Sequence, residues 1–342
     1  MSKKFILGII AFTFTTTIIM GLSFYNKFFG RAIKSSGSLF IRSTDNLSDV
    51  KTKLSPFISN SKNFDWIAKK KNYVTPKGGK YHLEEGMSLN ELVNLLRSGN
   101  QTPIKISFNN QDTLEKLAGR ISKQIEADSI SLLEAMNDPD FLALNGFNKQ
   151  SALGMYIPNS YELYWNTSAE KFRNRMLKEY HRFWNSSRID KVKKLNLSKS
   201  EVLTLASIVQ KETSQKTERP IVAGLYLNRL KINMPLQADP TIIYCLKQIK
   251  GQDFVVKRVL NKDLVINSPY NTYKYGGLPP GLIAMPDISS IDAVLNYEKH
   301  TYYYMCASTE KIGFHEFANS INQHNRNAQK YQKWIDKQGI NR

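Results

Sequence analysis

Residues 205–244 read LASIVQKETSQKTERPIVAGLYLNRLKINMPLQADPTIIY, and Ser198-Lys199-Ser200-Glu201 stand just upstream. A serine followed three residues later by glutamate is a capping box, so a helix is predicted to start there. Val202, Leu205, Ile208 and Val209 form its apolar stripe. At about 100° per residue, Glu212 lies only about 20° from Leu205, so a carboxyl group stands where the stripe calls for another aliphatic side chain. Burial there, next to the negative end of the helix, disfavours the ionised form and raises the pKa, which suits a general acid near neutral pH. The plain alternative is a glutamate leaving the helix end to pair with Lys211 or Arg219.

Thr217-Glu218-Arg219-Pro220 predicts a second helix, with proline in the first turn where no N–H is needed and Ile221, Val222, Leu225 and Leu227 following. Asp239-Pro240 repeats the device, so Asp239 is expected as the N-cap of a third helix through Ile242, Ile243 and Leu246, ahead of the alternative that it is a second catalytic acid. Gln237, in the loop between them, is a candidate for hydrogen-bonding a polar ligand. Further on, SPYNTYKYGGLPPGLI (268–283) is a turn-rich stretch dense in aromatic and amide side chains. Tyrosine faces stack on sugar rings while amides satisfy hydroxyls, so Asn271 and Tyr273 fit an elongated carbohydrate better than a phosphate. His315 and His324 are nine residues apart, which is not the i, i+4 spacing of a helical metal pair, and no metal or other cofactor is expected.

Toward the N-terminus the texture is lighter. Residues 39–41 and 81–83 read as strands that can pair in one sheet, 47–54 as a helix, and Ser88 with Glu91 as a capping box before a helix through Leu89, Leu92, Val93 and Leu96 ending at Gly99. Residues 104–108 alternate as a strand, and Asp112 with Glu115 makes another expected capping box. Tyr302 to Met305 read as a strand. The expected fold class is α+β, with a small αβ module ahead of a larger mixed α+β domain.

Residues 5–25 carry no charge, and 21 positions at about 1.5 Å each span a bilayer core. A transmembrane helix is therefore expected, with Thr13 and the threonines at 15–17 bonding back to helix carbonyls. Lys3 and Lys4 precede it while Lys27, Arg31 and Lys34 follow, so flanking charge does not orient it. Over 342 residues, 48 Lys and Arg against 29 Asp and Glu leave +19, which attracts polyanions, anionic lipid or a carboxylate-rich wall polymer. No Gly-rich phosphate loop or known nucleic-acid motif is present, so no specific nucleic-acid partner is expected. With 41% hydrophobic residues the chain can bury a core without disulfides, and Cys245 and Cys306 form no CxxC pair.

The 205–244 run, followed in order by SPYNTYKYGGLPPGLI and HEFANSINQHN (315–325), strongly resembles the endolytic murein transglycosylase family of YceG-like proteins. YHLEEGMSLNELVNLLRSG (81–99) is similar to a LysM module. The resemblance implies a cytoplasmic end at 1–4, a transmembrane helix at 5–25, a linker at 26–37, a LysM-like αβ module at 38–108, a helical connection at 109–151 and a catalytic domain at 152–342. It also implies cleavage of MurNAc–GlcNAc β-1,4 bonds in nascent glycan strands to 1,6-anhydroMurNAc ends, with Glu212 as the catalytic acid. Gln237, Asn271 and Tyr273 are the candidate substrate contacts and Glu218 the reserve acid. By the same resemblance the protein is a single-pass inner-membrane protein with its catalytic domain outside, and peptidoglycan synthases are its candidate neighbours. The competing expectation is a non-catalytic, membrane-tethered peptidoglycan-binding protein in which Glu212 is only structural.

Overall fold

A computed structural model describes residues 2–58 and 60–337. The described residues form an α+β chain, with helices and three two-stranded sheets arranged in two compact units. The first unit comprises Met1–Ile106, Ser122–Ala127 and Ser160–Ser168, and the second comprises Ser107–Ile121, Asp128–Asn159 and Ala169–Arg342.

In the first unit, α1 (Lys3–Phe29) has no buried residue and is long and apolar enough to cross a membrane. Its threonine hydroxyls bond back as expected: Thr15 donates to the Ala11 carbonyl at 2.8 Å and Thr17 to that of Thr13 at 2.8 Å. β1 (Gly37–Ile41) pairs antiparallel with β2 (Gly79–Leu83), with Leu39 opposite Tyr81. The alternation puts Leu39, Ile41, Tyr81 and Leu83 on one face, where they meet Val50 and Leu54 of α2 (Leu47–Leu54), Phe64 and Ile67 of α3 (Ser61–Lys70), and Leu92 and Leu96 of α4 (Leu89–Ser98). The Ser88–Glu91 capping box starts α4, and Gly99 ends it in the left-handed conformation at φ 75°. The segment expected as a spacer takes part in this core. Ile33 is buried and bridges Ile58, and Phe24 and Phe28 of α1 set their rings edge-on to Trp66, with centroids 5.5 and 5.2 Å away. The apolar residues scattered among its basic ones are what the core takes up.

β3 (Ile104–Phe108) and β4 (Asn159–Leu163) form the second small sheet. The second unit contains α5 (Leu114–Ile121), α6 (Ser129–Met136), α7 (Pro139–Leu144), α8 (Ala169–Phe183), α9 (Ser186–Leu195), α10 (Lys199–Glu212), α11 (Arg219–Lys231), α12 (Asp239–Lys250), α13 (Ile288–Leu295), the hairpin β5 (Tyr304–Ala307) with β6 (His315–Ala318), and α14 (Ile321–Lys337). α10 is its centre: every residue from Val202 to Gln210 is buried, and α9, α11, α12 and α13 pack around it. A helix enclosed along its length needs no polar face, and its buried Ser207 and Gln210 are bonded to the segment before α13. Ser207 Oγ accepts from Ile283 N at 3.1 Å, and Gln210 donates to the Met285 carbonyl at 3.0 Å while accepting from Asp287 N at 2.5 Å.

Two local expectations shift. Thr113, not Asp112, supplies the oxygen for the start of α5, accepting from Lys116 N at 3.3 Å. Asp112 pairs instead with Lys211 at 2.6 Å and Lys247 at 3.6 Å, and these cations outweigh burial in holding its pKa low. The expected strand at 302–305 begins at Tyr304, because the carbonyls before it are taken by α11: Asn228 donates to those of His300 and Tyr302, and Arg229 Nε to that of Tyr303 at 2.6 Å.

Candidate active site

α10 stops at Glu212 because Thr213 turns to extended backbone (φ −138°, ψ 135°), and this releases the glutamate side chain at the exposed end of a buried helix. The next turn is fixed by Arg219, itself buried, which donates to both oxygens of Asp287 at 2.9 and 2.8 Å and to Ser289 at 2.6 Å. With these three bonds holding the guanidinium, its Nε donates to the Thr213 carbonyl at 3.4 Å and fixes the turn from α10 into α11. α11 then carries Tyr226 and Arg229 on one face, three residues apart.

Arg229 acts as a fastener. Besides binding the Tyr303 carbonyl, its guanidinium donates to the carbonyls of Leu236 at 2.7 Å and Pro235 at 3.3 Å, so it ties the approach to β5 and the 232–238 loop to one helix. In that loop Gln237 holds a left-handed backbone (φ 47°), and its N–H donates to Thr272 O at 3.0 Å. Ala238 N donates to Thr272 Oγ1 at 3.0 Å, which in turn lies 2.9 Å from Thr241 Oγ1.

Here Asp239 departs from expectation. The N-cap of α12 is Ala238, which makes no side-chain cap, and Asp239 is the first helical residue. Its carboxylate accepts from Tyr273 Oη at 2.6 Å instead of capping the helix.

These pieces enclose a polar cleft of about 200 Å³. Glu212, Tyr226, Arg229, Gln237, Asp239 and Tyr273 line it, with His315 and the edge of β5 opposite. Glu212 is half-buried and its Oε2 has no solvent contact; neither that oxygen nor the Tyr226 hydroxyl has a partner at hydrogen-bond geometry among the described residues. Burial pushes the Glu212 pKa up to about 7. His315 opposes the shift, the like charge of Asp239 adds to it, and Tyr226 and Arg229 oppose it more weakly. Burial likewise raises the pKa of the Tyr226 and Tyr273 hydroxyls, so both are donors at neutral pH.

Glu218 and Asn271 are placed outside the walls of the cleft. Glu218 is buried and spends its carboxylate on His315, accepting from its backbone N–H at 2.6 Å and lying 2.9 Å from Nδ1. Burial disfavours both charges, yet the pairing outweighs it: the Glu218 pKa is lowered and that of His315 raised. Asn271 is fully buried, donating to the carbonyls of Leu264 and Ile266 at 2.8 Å each and accepting from Tyr273 N at 2.9 Å, so it shapes the loop that presents Tyr273. Sequence reasoning missed Tyr226, Arg229 and His315. For the first two a signal existed, a tyrosine and an arginine at i, i+3 inside an apolar helical run; His315 lies 103 residues beyond Glu212 and carries no local mark.

Among the described residues no three His, Cys, Asp or Glu converge closely enough to hold a metal ion. A larger cleft of about 480 Å³ runs along α14 and is lined by Arg326, Lys330, Lys333, Lys337 and Trp334, but it presents no carboxyl group that could transfer a proton.

Fold and cleft together define a class: α+β proteins that offer one half-buried carboxylic acid, with pKa near neutrality, to a polar cleft built on the end of a core helix. The chain belongs to the YceG-like family, whose sequence model matches residues 39–330. It is 31% identical over 290 residues to a Bacillus subtilis (strain 168) protein named endolytic murein transglycosylase, covering 80% of this chain and 78% of that one. A Streptococcus pneumoniae (serotype 2, strain D39) protein of the same name is 28% identical over 292 residues, an alignment that covers 78% of this chain and only 52% of the pneumococcal one. A crystal structure of a YceG-like protein from Listeria monocytogenes superposes with a TM-score of 0.57 at 30% identity, covering 85% of this chain and 98% of the other.

Proposed function

We propose that the protein is a membrane-anchored endolytic lytic transglycosylase that cleaves MurNAc–GlcNAc β-1,4 bonds within nascent peptidoglycan strands and leaves 1,6-anhydroMurNAc ends, so ending elongation. The general activity is that named for its relatives. The observation that carries the finer reading is Glu212: a carboxyl group with pKa about 7 in a cleft lined with hydrogen-bonding side chains. Protonated, it donates to the glycosidic oxygen as the C1–O bond breaks. Ionised by that step, it accepts the proton of the C6 hydroxyl as that oxygen closes on C1. Because the second step needs no activated water, one acid–base group serves both. Gln237 and Tyr273 contact the sugars, while Asn271 and Glu218 hold the loops that bear the contacts.

α1 anchors the chain with its N-terminus in the cytoplasm and the cleft outside the inner membrane, beside newly polymerised strands and the synthases that make them. The unit around β1, β2, α3 and α4 is a LysM-like glycan-binding module. The reaction is tested by running it with purified glycan strands in ¹⁸O-water and weighing the fragments. Anhydro ends free of ¹⁸O are expected; reducing ends carrying one ¹⁸O would make the protein a hydrolase. Binding without cleavage would favour a tethered wall-binding protein.

A further inference from the structure

Asp239 is exposed, and its carboxylate is not used to cap α12. It opens α12 without capping it, the Ala238 N–H being satisfied by Thr272, and its carboxylate stands on the wall of the same cleft as Glu212 with Tyr273 Oη donating to Oδ1 at 2.6 Å. A fixed negative charge beside a protonated acid is the arrangement that an oxocarbenium-like transition state calls for.

We propose that Asp239 is a second working carboxylate of this cleft, which stabilises the positive charge developing on the sugar at C1, and that Tyr273 is the residue positioning it. The inference rests on the transglycosylase reading above. In the step, the C1–O bond breaks and its electron pair stays on the departing oxygen, which takes the Glu212 proton. Asp239 forms no bond to carbon and lowers the energy of the electron-poor C1. The C6 oxygen then supplies the pair that closes the anhydro ring, and its proton returns to Glu212, so the two fragments together have the composition of the starting strand.

Among the described residues, the charged and titratable groups sharing the cleft with Glu212 are His315 from β6, Cys306 from β5, Tyr226 and Arg229 from α11, Asp239 from α12 and Tyr273 from the loop before α13. Of these, Asp239 contributes the like charge that favours the protonated acid. The test is the pH profile of anhydro-end formation by the full-length protein in detergent, for wild type, Asp239→Asn, Asp239→Glu and Tyr273→Phe, each checked for its thermal transition. Asp239→Asn keeps the tyrosine bond and loses the charge. It should lower kcat on the order of a hundredfold with KM little changed, and move the alkaline limb of the profile to lower pH, a shift that a purely structural role would not produce. Asp239→Glu should keep the limb in place, and Tyr273→Phe should lower kcat about tenfold without moving it. Asp239→Asn with wild-type kcat and an unmoved limb would overturn the assignment; if that variant fails to fold, wild-type kcat in Tyr273→Phe would overturn it instead. Wild type producing no anhydro ends at any pH would remove the transglycosylase reading itself, whereas failure of Asp239→Asn to differ from an active wild type would remove only the inference about Asp239.

Discussion

Glu212 is held in a state that costs stability and suits proton transfer. Its folded pKa lies above that of a free glutamate, so the folded protein binds a proton more tightly than the unfolded one between about pH 4.5 and 7. The associated stability is fully present below the unfolded pKa and is lost as pH rises through about 7. Glu212→Gln should therefore stabilise the protein on the order of 2 kcal/mol at pH 8 and hardly at all at pH 4, read as the difference in thermal transition between the two pH values. Catalysis has the same origin: with Glu212 as general acid, kcat should fall about tenfold per unit above pH 7. The position was legible in advance, because a carboxyl group on the apolar stripe of Val202, Leu205 and Val209 violates the pattern. Asp239 was not, because an aspartate before proline reads as a cap; what engages it is Tyr273, 34 residues further on, a relation no local pattern contains.

At the level of elements, the cleft depends on how α10, α11 and α13 lock together. Asp287 caps α13, accepting from Ser290 N at 2.7 Å, and pairs with buried Arg219. Although burial works against it, these bonds hold the Asp287 carboxyl below its usual range. Asp287→Ala removes a cap and strands a buried guanidinium, so it should lower stability by about 3 kcal/mol, measurable by denaturant titration. Because the folded pKa is depressed, the wild type's advantage over this variant should shrink as pH falls below about 4.

α11 has its own close approach. A methyl group at Gly224 would lie 2.3 Å from the Glu298 carbonyl oxygen and 2.7 Å from His300 Nε2. Gly224→Ala should push α11 off the 298–303 segment, cost about 1–3 kcal/mol in thermal denaturation and shift Tyr226 and Arg229 out of register with the cleft. The helices themselves were readable from capping boxes at Ser88 and Ser198 and from prolines in first turns, and β1 and β2 from their alternation. The strand expected at 302–305 and the cap expected at Asp112 moved because Arg229 and Asn228 in one case, and Lys211 and Lys247 in the other, reach them from far away in sequence.

For the whole molecule, α1 and the charge balance bear on location. α1, 27 residues with none buried, spans about 40 Å, more than a bilayer core requires. Membranes from cells expressing the full chain should retain the protein after washing at high salt and alkaline pH, which strips proteins held by the +19 charge alone; appearance in the wash would show that charge, not α1, holds it. Peptide mapping of the retained protein should recover α1, since an anchor persists where a signal peptide is removed. The existence of α10 followed from periodicity, but its enclosure did not, since a single stripe of Val202, Leu205, Ile208 and Val209 predicts one buried face; nor did the division into two units, because 122–127 and 160–168 join the first unit from within the sequence of the second.

The central claim is that the Glu212 carboxyl group performs the proton transfers of strand cleavage. Full-length protein in detergent, wild type and Glu212→Gln, should be incubated at pH 6 with uncrosslinked glycan strands and the products weighed by mass spectrometry. Wild type should release internal fragments ending in 1,6-anhydroMurNAc, and Glu212→Gln, folded and at least as stable, should release none. Anhydro fragments at comparable rates from both proteins would contradict the account.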